Sequence, residues 1–267
     1  MVARAERRVK IPAGRRKGAV APGRRIALVT GAGRGIGRAI ACRLARDGAM
    51  VFVNYRSDRV AALGCVAEII ASGGAAQAVR ADVADAVQVR NMLARVRRDA
   101  GGLDILVANA GVAPLARTLA AVTPSMWRRT METNATGAFF CAQAAAPMLA
   151  RSGGGRIVFI GSVAARLGGN IGPHYAASKA ALRGLCSSMG RELAPSGITV
   201  NVVEPGYVAT DLSEVIHRSV AMRRRMRAEV PLERTGTVEE VADVVAFLAG
   251  PGGSYVTREC IAVAGGR

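Results

Sequence analysis

From Arg25 to the C-terminus, short apolar runs alternate with longer segments of helical periodicity, and this alternation constrains the fold more than any other feature. The runs that indicate strands are Ile26–Thr30, Met50–Tyr55, Ala75–Arg80, Asp104–Ala108, Arg156–Gly161, Ile198–Glu204 and Cys260–Val263. The segments that indicate helices are Ile36–Asp47, Asp58–Ala71, Ala86–Asp99, Pro124–Arg151, Tyr175–Leu193 and Val238–Leu248. Nearly continuous apolar strands that alternate with helices predict an α/β fold in which helices cover both faces of a parallel sheet.

The same pattern indicates where elements end and how the chain divides into domains. Gly48 predicts the end of the first helix, and Asp85 predicts the N-cap of the third. After residue 25 no linker rich in Pro, Gly or Ser interrupts the alternation, so residues 25–267 are expected to form one domain.

The positive charge of the chain is unevenly distributed. Of the formal net charge of +18, the first 25 residues carry +8, from nine basic side chains and one acidic one. Residues 1–24 have little apolar periodicity, and we expect them to form a disordered basic arm. Such an arm can be a solvated tail, a contact with nucleic acid or a membrane surface, or a targeting segment.

The cysteines and histidines give no sign of a disulfide framework or a metal site. The five cysteines are widely spaced and show no C-x-x-C pattern, which is typical of reduced thiols in a cytosol-like compartment. A cytoplasmic location is therefore expected. The two histidines, His174 and His217, are too few and too isolated for a metal cluster. No apolar run approaches the roughly 20 residues that span a bilayer.

A glycine-rich segment follows the first predicted strand and opens the first predicted helix. It reads Thr30-Gly31-Ala32-Gly33-Arg34-Gly35-Ile36-Gly37. Glycines here permit a tight turn and let the backbone approach a pyrophosphate, while the helix N-terminus supplies N–H donors. The alternative is a glycine-rich turn without a ligand, but the position between strand and helix favours a dinucleotide site.

The end of the second predicted strand bears on the choice of cofactor. In dinucleotide-binding folds an acid here hydrogen-bonds the ribose 2′-hydroxyl of NAD and repels the 2′-phosphate of NADP. This chain has Asn54-Tyr55-Arg56-Ser57 at that point. Arg34 would add a second guanidinium near the same ribose. Two guanidinium groups without a carboxylate predict NADP(H), unless Arg56 only solvates a loop.

Tyr175 and Lys179 lie four residues apart in a predicted helix and would share one helix face. Bringing a phenol from its usual pKa of ~10 to about 7 takes roughly 4 kcal/mol. A cation about 4 Å away supplies energy of that order at an effective dielectric constant of ~20. The pair could therefore exchange a proton with a carbonyl/alcohol couple. The alternative is an ordinary surface pair, although Lys179 is the only lysine after Lys17.

Seven motifs occur in order along the chain. They are the glycine-rich loop, Ala81-Asp82-Val83, Asn109-Ala110-Gly111, Asn134, Ser162, Tyr175-x-x-x-Lys179 and Pro205-Gly206. This set resembles that of the short-chain dehydrogenases/reductases from residue 25 to about residue 265. The resemblance implies a single Rossmann-type, doubly wound domain with a seven-stranded parallel sheet. It also implies a homotetramer and nicotinamide chemistry without a metal.

The resemblance assigns roles to the matching positions. Tyr175 would be the general acid, Ser162 would hydrogen-bond the substrate carbonyl, and Lys179 would bind the nicotinamide ribose and lower the tyrosine pKa. Asn134 would hold a water molecule that links Lys179 to solvent, unless it only caps or kinks its helix. The remaining implied cofactor contacts are Asp82 and Val83 at the adenine, Asn109, Ala110 and Gly111 along the cleft, and Pro205, Gly206, Val208 and Thr210 around the nicotinamide.

Two segments near the C-terminus depart from the family pattern. Thr257-Arg258-Glu259 replaces the more usual Thr-Gly-Gln, so the conformation of this turn is not predicted from the family pattern. Val263-Ala264-Gly265-Gly266 replaces the more usual Val-Asp-Gly-Gly, which leaves the contacts of the last strand open. Neither touches the proposed catalytic residues.

Within the family, Asn54–Ser57, Gly161–Val163 and Pro231–Arg234 most resemble 3-oxoacyl-(acyl-carrier-protein) reductases. A substrate lid is expected between Thr210 and Thr235. Its apolar stripe would comprise Ile216, Val220, Met226 and Val230, with Arg218, Arg223, Arg224, Arg225 and Arg227 around it. This surface would suit an acyl chain on an acidic acyl carrier protein, or it is a solvated amphipathic helix.

Three function classes follow from the sequence. The first is an NADPH-dependent reductase of 3-oxoacyl thioesters. The second is the same fold acting on another ketone or alcohol, such as a sugar, a steroid or a small secondary alcohol. The third is a non-catalytic protein that binds nicotinamide or nucleic acid. The complete set of Asn134, Ser162, Tyr175 and Lys179 argues against the third.

Overall fold

The computed structural model describes residues 23–116, 118–209, 224 and 228–267. The strands are β1 (Ile26–Val29), β2 (Met50–Tyr55), β3 (Ala75–Arg80), β4 (Ile105–Ala108), β5 (Arg156–Ile160), β6 (Thr199–Pro205) and β7 (Cys260–Val263). The helices of these ranges are α1 (Gly35–Arg46), α2 (Arg59–Ala71), α3 (Ala86–Ala100), α4 (Pro124–Met131), α5 (Gly137–Arg151), α6 (Ala164–Leu167), α7 (Pro173–Leu193) and α8 (Val238–Ala249). Of the expected basic arm, residues 1–22 lie outside the described part.

The seven strands form one parallel sheet in the order β3-β2-β1-β4-β5-β6-β7. The chain first adds strands on one side of β1 and then crosses back to place β4 on the other side. This reversal creates a switch point between β1 and β4, where doubly wound folds bind ligands. The predicted α/β fold with a seven-stranded parallel sheet is confirmed.

Alternate side chains of the strands point to opposite faces and build two separate cores. On one face, residues such as Leu106 and Phe159 pack against α3, α5 and α7. On the other face, residues such as Val107 and Ile160 pack against α1, α2 and α8. Burial on both faces explains why the strands are almost continuously apolar in sequence.

The predicted helix boundaries at Asp85 and Gly48 are confirmed. The Asp85 carboxylate accepts hydrogen bonds from the N–H groups of Val87 and Gln88, at 2.8 and 3.1 Å. Gly48 adopts a φ of +90° just after α1. No helix in the described ranges is long and apolar enough to cross a bilayer.

The segment predicted as one helix, Pro124–Arg151, is instead interrupted by a π-helical turn at Glu132–Thr136. Such a turn carries an extra residue and is often found at functional sites. Asn134 lies in it, 1% exposed. The short helix α6 was not predicted, because four residues are too few to show helical periodicity.

The structure shows the conformation of the turn at Arg258, which the sequence did not predict. It adopts a left-handed φ of +68°, in the place where the family pattern has glycine. Its Nε donates to the backbone oxygen of Ser187 and its Nη2 to the Ser187 hydroxyl, both at 3.1 Å. These bonds to α7 stabilise a backbone conformation that arginine otherwise avoids.

Candidate active site

The glycine-rich loop is tied to the end of β4 beside the switch point. The Thr30 hydroxyl accepts hydrogen bonds from the N–H groups of Asn109 and Ala110, both at 2.9 Å. Asn109 Nδ2 donates back to the oxygens of Thr30 and Gly31, at 2.9 and 3.2 Å. Asn109, predicted to line the cleft, therefore holds the loop in shape with its side chain.

The glycines of this loop are required by close backbone approaches. Gly31 has a φ of +61°, and a Cβ on it would lie 2.9 Å from the Cα of Ala110. A Cβ on Gly33 would lie 3.1 Å from the backbone nitrogen of Ala62, and one on Gly37 would collide with Asn109.

The first turn of α1 is open to an anion. Arg34 is the N-cap residue, yet its side chain makes no capping hydrogen bond, and the turn formed by Gly35, Ile36 and Gly37 contains no acid. The first N–H groups of the helix therefore lack side-chain partners of the capping type. The loop and this helix end fit the pyrophosphate of a dinucleotide.

Asn54 and Tyr55 were predicted to contact the cofactor. In the structure both form hydrogen bonds to other residues of the chain. Asn54 is 2% exposed, accepts from the N–H of Gly31 at 3.2 Å and donates to the oxygen of Ala81 at 3.2 Å. The backbone oxygen of Tyr55 accepts from the N–H of Ala81 at 3.0 Å. Val83 is also buried. The hydrogen bonds of Asn54 and Tyr55 join β2 to the end of β3, and the bond from Gly31 joins β2 to the glycine-rich loop.

The adenosine end of the cleft contains a carboxylate after all. No acid stands at the end of β2 itself, as predicted, but Asp82 Oδ2, after β3, lies 3.8 Å from Arg56 Nη1. The sequence reasoning also missed Arg80, whose Nε donates to the backbone oxygen of Arg56 at 3.2 Å. Arg56 and Arg80 together outnumber the single carboxylate of Asp82 at this point. Arg80 ends β3, and only the alignment of β2 with β3 places it there.

The structure brings the predicted catalytic residues together between β5 and α7. Ser162 follows β5, while Tyr175 and Lys179 occupy the first two turns of α7. Ser162 lies near enough to Tyr175 for its side chain to lower the pKa of the phenol. Lys179 Nζ lies 5.8 Å from the centroid of the Tyr175 ring and donates to the oxygen of Ile160 at 2.7 Å.

Asn134 lies behind this group and is fixed through its whole amide. Its Oδ1 accepts from the N–H of Val112 at 2.8 Å, and its Nδ2 donates to the oxygen of Val112 at 2.9 Å and to the Ser178 hydroxyl at 3.0 Å. Ser178 in turn donates to the backbone oxygen of Tyr175 at 2.7 Å. Sequence reasoning missed Ser178, although its position between Tyr175 and Lys179 was a signal.

Gly111 passes close to both Asn134 and Lys179. A Cβ on Gly111 would lie 3.3 Å from Asn134 Oδ1 and 3.5 Å from Lys179 Nζ. The backbone after β4 thus forms the wall that faces the lysine.

Burial controls the protonation states of the catalytic group. Burial raises the pKa of Tyr175, and the side chain of Ser162 opposes part of that rise. Burial also lowers the pKa of Lys179 to about 8. In the chain by itself burial raises the pKa of Tyr175, and Nζ of Lys179 donates to Ile160, so the lowering of the tyrosine pKa by Lys179 stays a prediction. Tyr175 is protonated at neutral pH, which is the state of a proton donor.

Replacing Lys179 by methionine should stabilise the fold at neutral pH. The folded-state pKa of about 8 lies below the ordinary 10.5, so the unfolded chain binds more protons between these values. The cost of burying the ammonium group is therefore full below about pH 8 and vanishes as the pH rises towards 10.5. Urea unfolding should show an advantage of up to about 3 kcal/mol at pH 7, shrinking at about pH 9.5. An advantage that does not change with pH would contradict this account.

The residues predicted around the nicotinamide follow β6. Pro205 ends β6, and the N–H of Gly206 donates to the oxygen of Val263 at 3.0 Å. Val208 is buried and pairs with Gly236 in a short bridge. Thr210 lies outside the described residues.

Most of the predicted lid also lies outside the described residues, which include only 224 and 228–235 of it. Arg224 is exposed. Val230 is buried, and a Cβ on Gly265 would lie 2.8 Å from its Cγ1.

The fold and the site together define a dinucleotide-binding oxidoreductase of the doubly wound class. A family model described as enoyl-(acyl carrier protein) reductase matches residues 31–267. The chain belongs to the short-chain dehydrogenase/reductase family. The 3-oxoacyl-(acyl-carrier-protein) reductase FabG of Staphylococcus aureus is 40% identical over 240 residues, or 90% of this chain and 96% of that protein. An uncharacterised oxidoreductase of Methylorubrum extorquens is 41% identical over 243 residues, or 91% and 97% of the two chains.

Solved structures show the same likeness. A short-chain dehydrogenase from Burkholderia cenocepacia in complex with NADP superposes with a TM-score of 0.84 at 41% identity, over 91% of this chain and 97% of that chain. A blue fluorescent protein from a metagenomic library in complex with NADPH gives a TM-score of 0.83, also at 41% identity and with the same coverage.

Proposed function

We propose that the protein uses NADPH to reduce a 3-oxoacyl thioester, on an acyl carrier protein or coenzyme A, to the 3-hydroxyacyl form. The observation that carries this proposal is the grouping of Ser162, Tyr175 and Lys179 at the end of β5, with a protonated phenol, in a fold that has a dinucleotide-type loop. The likeness to 3-oxoacyl-(acyl-carrier-protein) reductases over 90% of the chain supports the substrate class.

The residues divide the work of carbonyl reduction between them. The Ser162 hydroxyl hydrogen-bonds the carbonyl oxygen and holds it against Tyr175. Tyr175 then gives its proton to this oxygen, so that the ketone becomes a secondary alcohol. NADPH, when bound, supplies the hydride to the carbonyl carbon. Lys179 stabilises the phenolate that remains, since a cation acts strongly in a site of low dielectric constant.

The preference for NADPH rests on the charge at the adenosine end. Arg56 and Arg80 lie at the ends of β2 and β3, with the single carboxylate of Asp82 beside Arg56, and Arg34 precedes α1 in the glycine-rich loop. Guanidinium groups bind phosphate oxygens through charged, often paired hydrogen bonds. Such a corner attracts a 2′-phosphate and offers little to a bare 2′-hydroxyl.

The remaining proposals concern the setting of the reaction. We expect a cytoplasmic homotetramer whose one catalytic domain spans residues 25–267. Its physiological substrate would be carried by an acidic acyl carrier protein that meets the arginines of the predicted lid. We expect no metal in the chemistry, and neither a membrane nor nucleic acid as partner.

Comparing substrates tests the proposed function. NADPH oxidation should be fastest with acetoacetyl thioesters and slower by at least about tenfold in kcat/KM with a panel of plain ketones, sugars and steroids. The thioester contacts would account for this difference, because they add binding energy remote from the reacting carbonyl. Higher kcat/KM for a plain ketone would favour the second function class instead. No turnover with any carbonyl would leave the non-catalytic class.

A further inference from the structure

A buried carboxylate lies at the end of β6, next to the candidate active site. Glu204 is 1% exposed and follows a fully buried apolar stretch of the strand. Its side chain projects on the same face as Val202, towards α7. An unpaired charge in this place would be costly to bury, so its partners determine whether it is tolerated.

Two arginines pair with Glu204, one in α7 with the candidate catalytic residues and one in α6, which begins two residues after Ser162. Arg183 Nη1 lies 3.0 and 3.1 Å from the two carboxylate oxygens. Arg166 Nε lies 3.5 Å from Oε2. Arg183 comes one turn after Lys179 in α7, and Arg166 comes four residues after Ser162 in α6. One carboxylate therefore connects α6 and α7 to the end of β6.

The backbone beside Ser162 is built around the same carboxylate. A Cβ on Gly161 would lie 3.2 Å from Glu204 Cγ, so glycine leaves the room that the glutamate occupies. The N–H of Val163 donates to the oxygen of Pro205 at 3.1 Å. Ser162 lies between these two contacts, and its position depends on the end of β6 on both sides.

We propose that Glu204 is a positioning residue, which sets the distance between Ser162 and Tyr175 through its two arginines. It does not touch the reacting atoms. Its removal would let α6 and α7 shift relative to each other, and two hydroxyls that must both hydrogen-bond one carbonyl oxygen tolerate only a few tenths of an ångström of displacement. The kinetic consequences rest on the proposed function, whereas the geometry does not depend on the substrate.

The first test is Glu204→Gln, which keeps the shape of the side chain and removes its charge. We expect kcat to fall between about tenfold and a hundredfold, because a misplacement of about 1 Å costs that much. The KM for NADPH should change less, because the glycine-rich loop follows β1, which is separated from β6 by β4 and β5. The matched control is Glu68→Gln, which removes an exposed carboxylate paired with Arg38. This control should leave kcat unchanged.

A second readout does not need turnover. Ultraviolet difference titration, with Tyr175→Phe as the blank, follows the phenol of Tyr175 alone. In Glu204→Gln this phenol should titrate at higher pH than in the wild type, because a Ser162 side chain that has moved away lowers its pKa less. An unchanged titration in folded Glu204→Gln overturns the inference, whatever the activity does. If the wild type is inactive on thioesters but the Tyr175 titration still shifts in Glu204→Gln, only the proposed function is overturned.

A double-mutant cycle tests the link itself. Arg183→Gln together with Glu204→Gln should lower kcat and shift the titration no more than Glu204→Gln alone, because both act through one contact. Additive losses would overturn the ion pair as the connection. Should Glu204→Gln fail to fold, Arg166→Gln removes the longer contact at a side chain that is 41% exposed. It should shift the titration in the same direction by less, and no shift would count against the proposal.

Discussion

Replacing Tyr175 by phenylalanine should abolish turnover while NADPH still binds. The substitution removes the hydroxyl that donates the proton, and it leaves the partly buried ring in place. General acid catalysis contributes typically between about 10² and about 10⁴ in rate, so a loss of at least a hundredfold in kcat is expected. Steady-state assays measure kcat, and quenching or enhancement of NADPH fluorescence on binding measures the dissociation constant.

The matched control for this variant is Tyr255→Phe. Tyr255 is fully exposed, so removal of its hydroxyl should change neither kcat nor cofactor binding. If Tyr175→Phe keeps more than about a tenth of wild-type activity, which corresponds to only ~1.4 kcal/mol of barrier, Tyr175 is not the proton donor. A parallel loss of NADPH binding would mean that the ring was displaced.

The second large effect is expected at the adenosine end of the cleft. The double variant Arg34→Ala/Arg56→Ala should lose at least about a hundredfold in kcat/KM for NADPH, because each guanidinium makes a charged hydrogen bond worth about 1.5–3 kcal/mol. The value for NADH should change little, since NADH lacks the 2′-phosphate. Arg56→Asp should go further and move the preference towards NADH, because two carboxylates would then face the phosphate beside Asp82.

Arg90→Ala is the control for charge alone. Arg90 is exposed on α3, and no described hydrogen bond or ion pair joins it to the glycine-rich loop, so its removal lowers the net charge alone. It should leave both kcat/KM values unchanged. Equal kcat/KM for NADPH and NADH in the wild type would contradict the cofactor assignment at the outset.

The sequence predicted the sheet well because its strands are buried on both faces. Such strands are apolar throughout, and the glycine-rich loop and the N-cap at Asp85 depend on residues close together in the chain. The same locality explains the grouping of Tyr175 with Lys179, which needs only one turn of helix. The π-helical turn at Glu132–Thr136 has no comparable local signal, so the long helix was predicted without its interruption.

The hydrogen bonds, ion pairs and pKa shifts of the site could not be predicted from sequence patterns. Lys179 was expected to act on Tyr175 through distance alone, yet the backbone oxygen of Ile160 accepts its hydrogen bond, and burial moves both pKa values. Asp82 was assigned to adenine, and the register of β3 against β2 places it beside Arg56. Each of these contacts joins segments that are distant in sequence.

The sequence by itself determined the fold class and the family, and it supplied the candidate catalytic residues, because periodicity and ordered motifs are properties of neighbouring residues. Only the tertiary structure decided which charges are paired and which groups are buried. Glu204 illustrates the difference: in the sequence it is an acid at the end of an apolar strand, and in the fold it connects Arg166 and Arg183. Partners of that kind depend on how helices pack across a sheet, and local pattern carries no information about them.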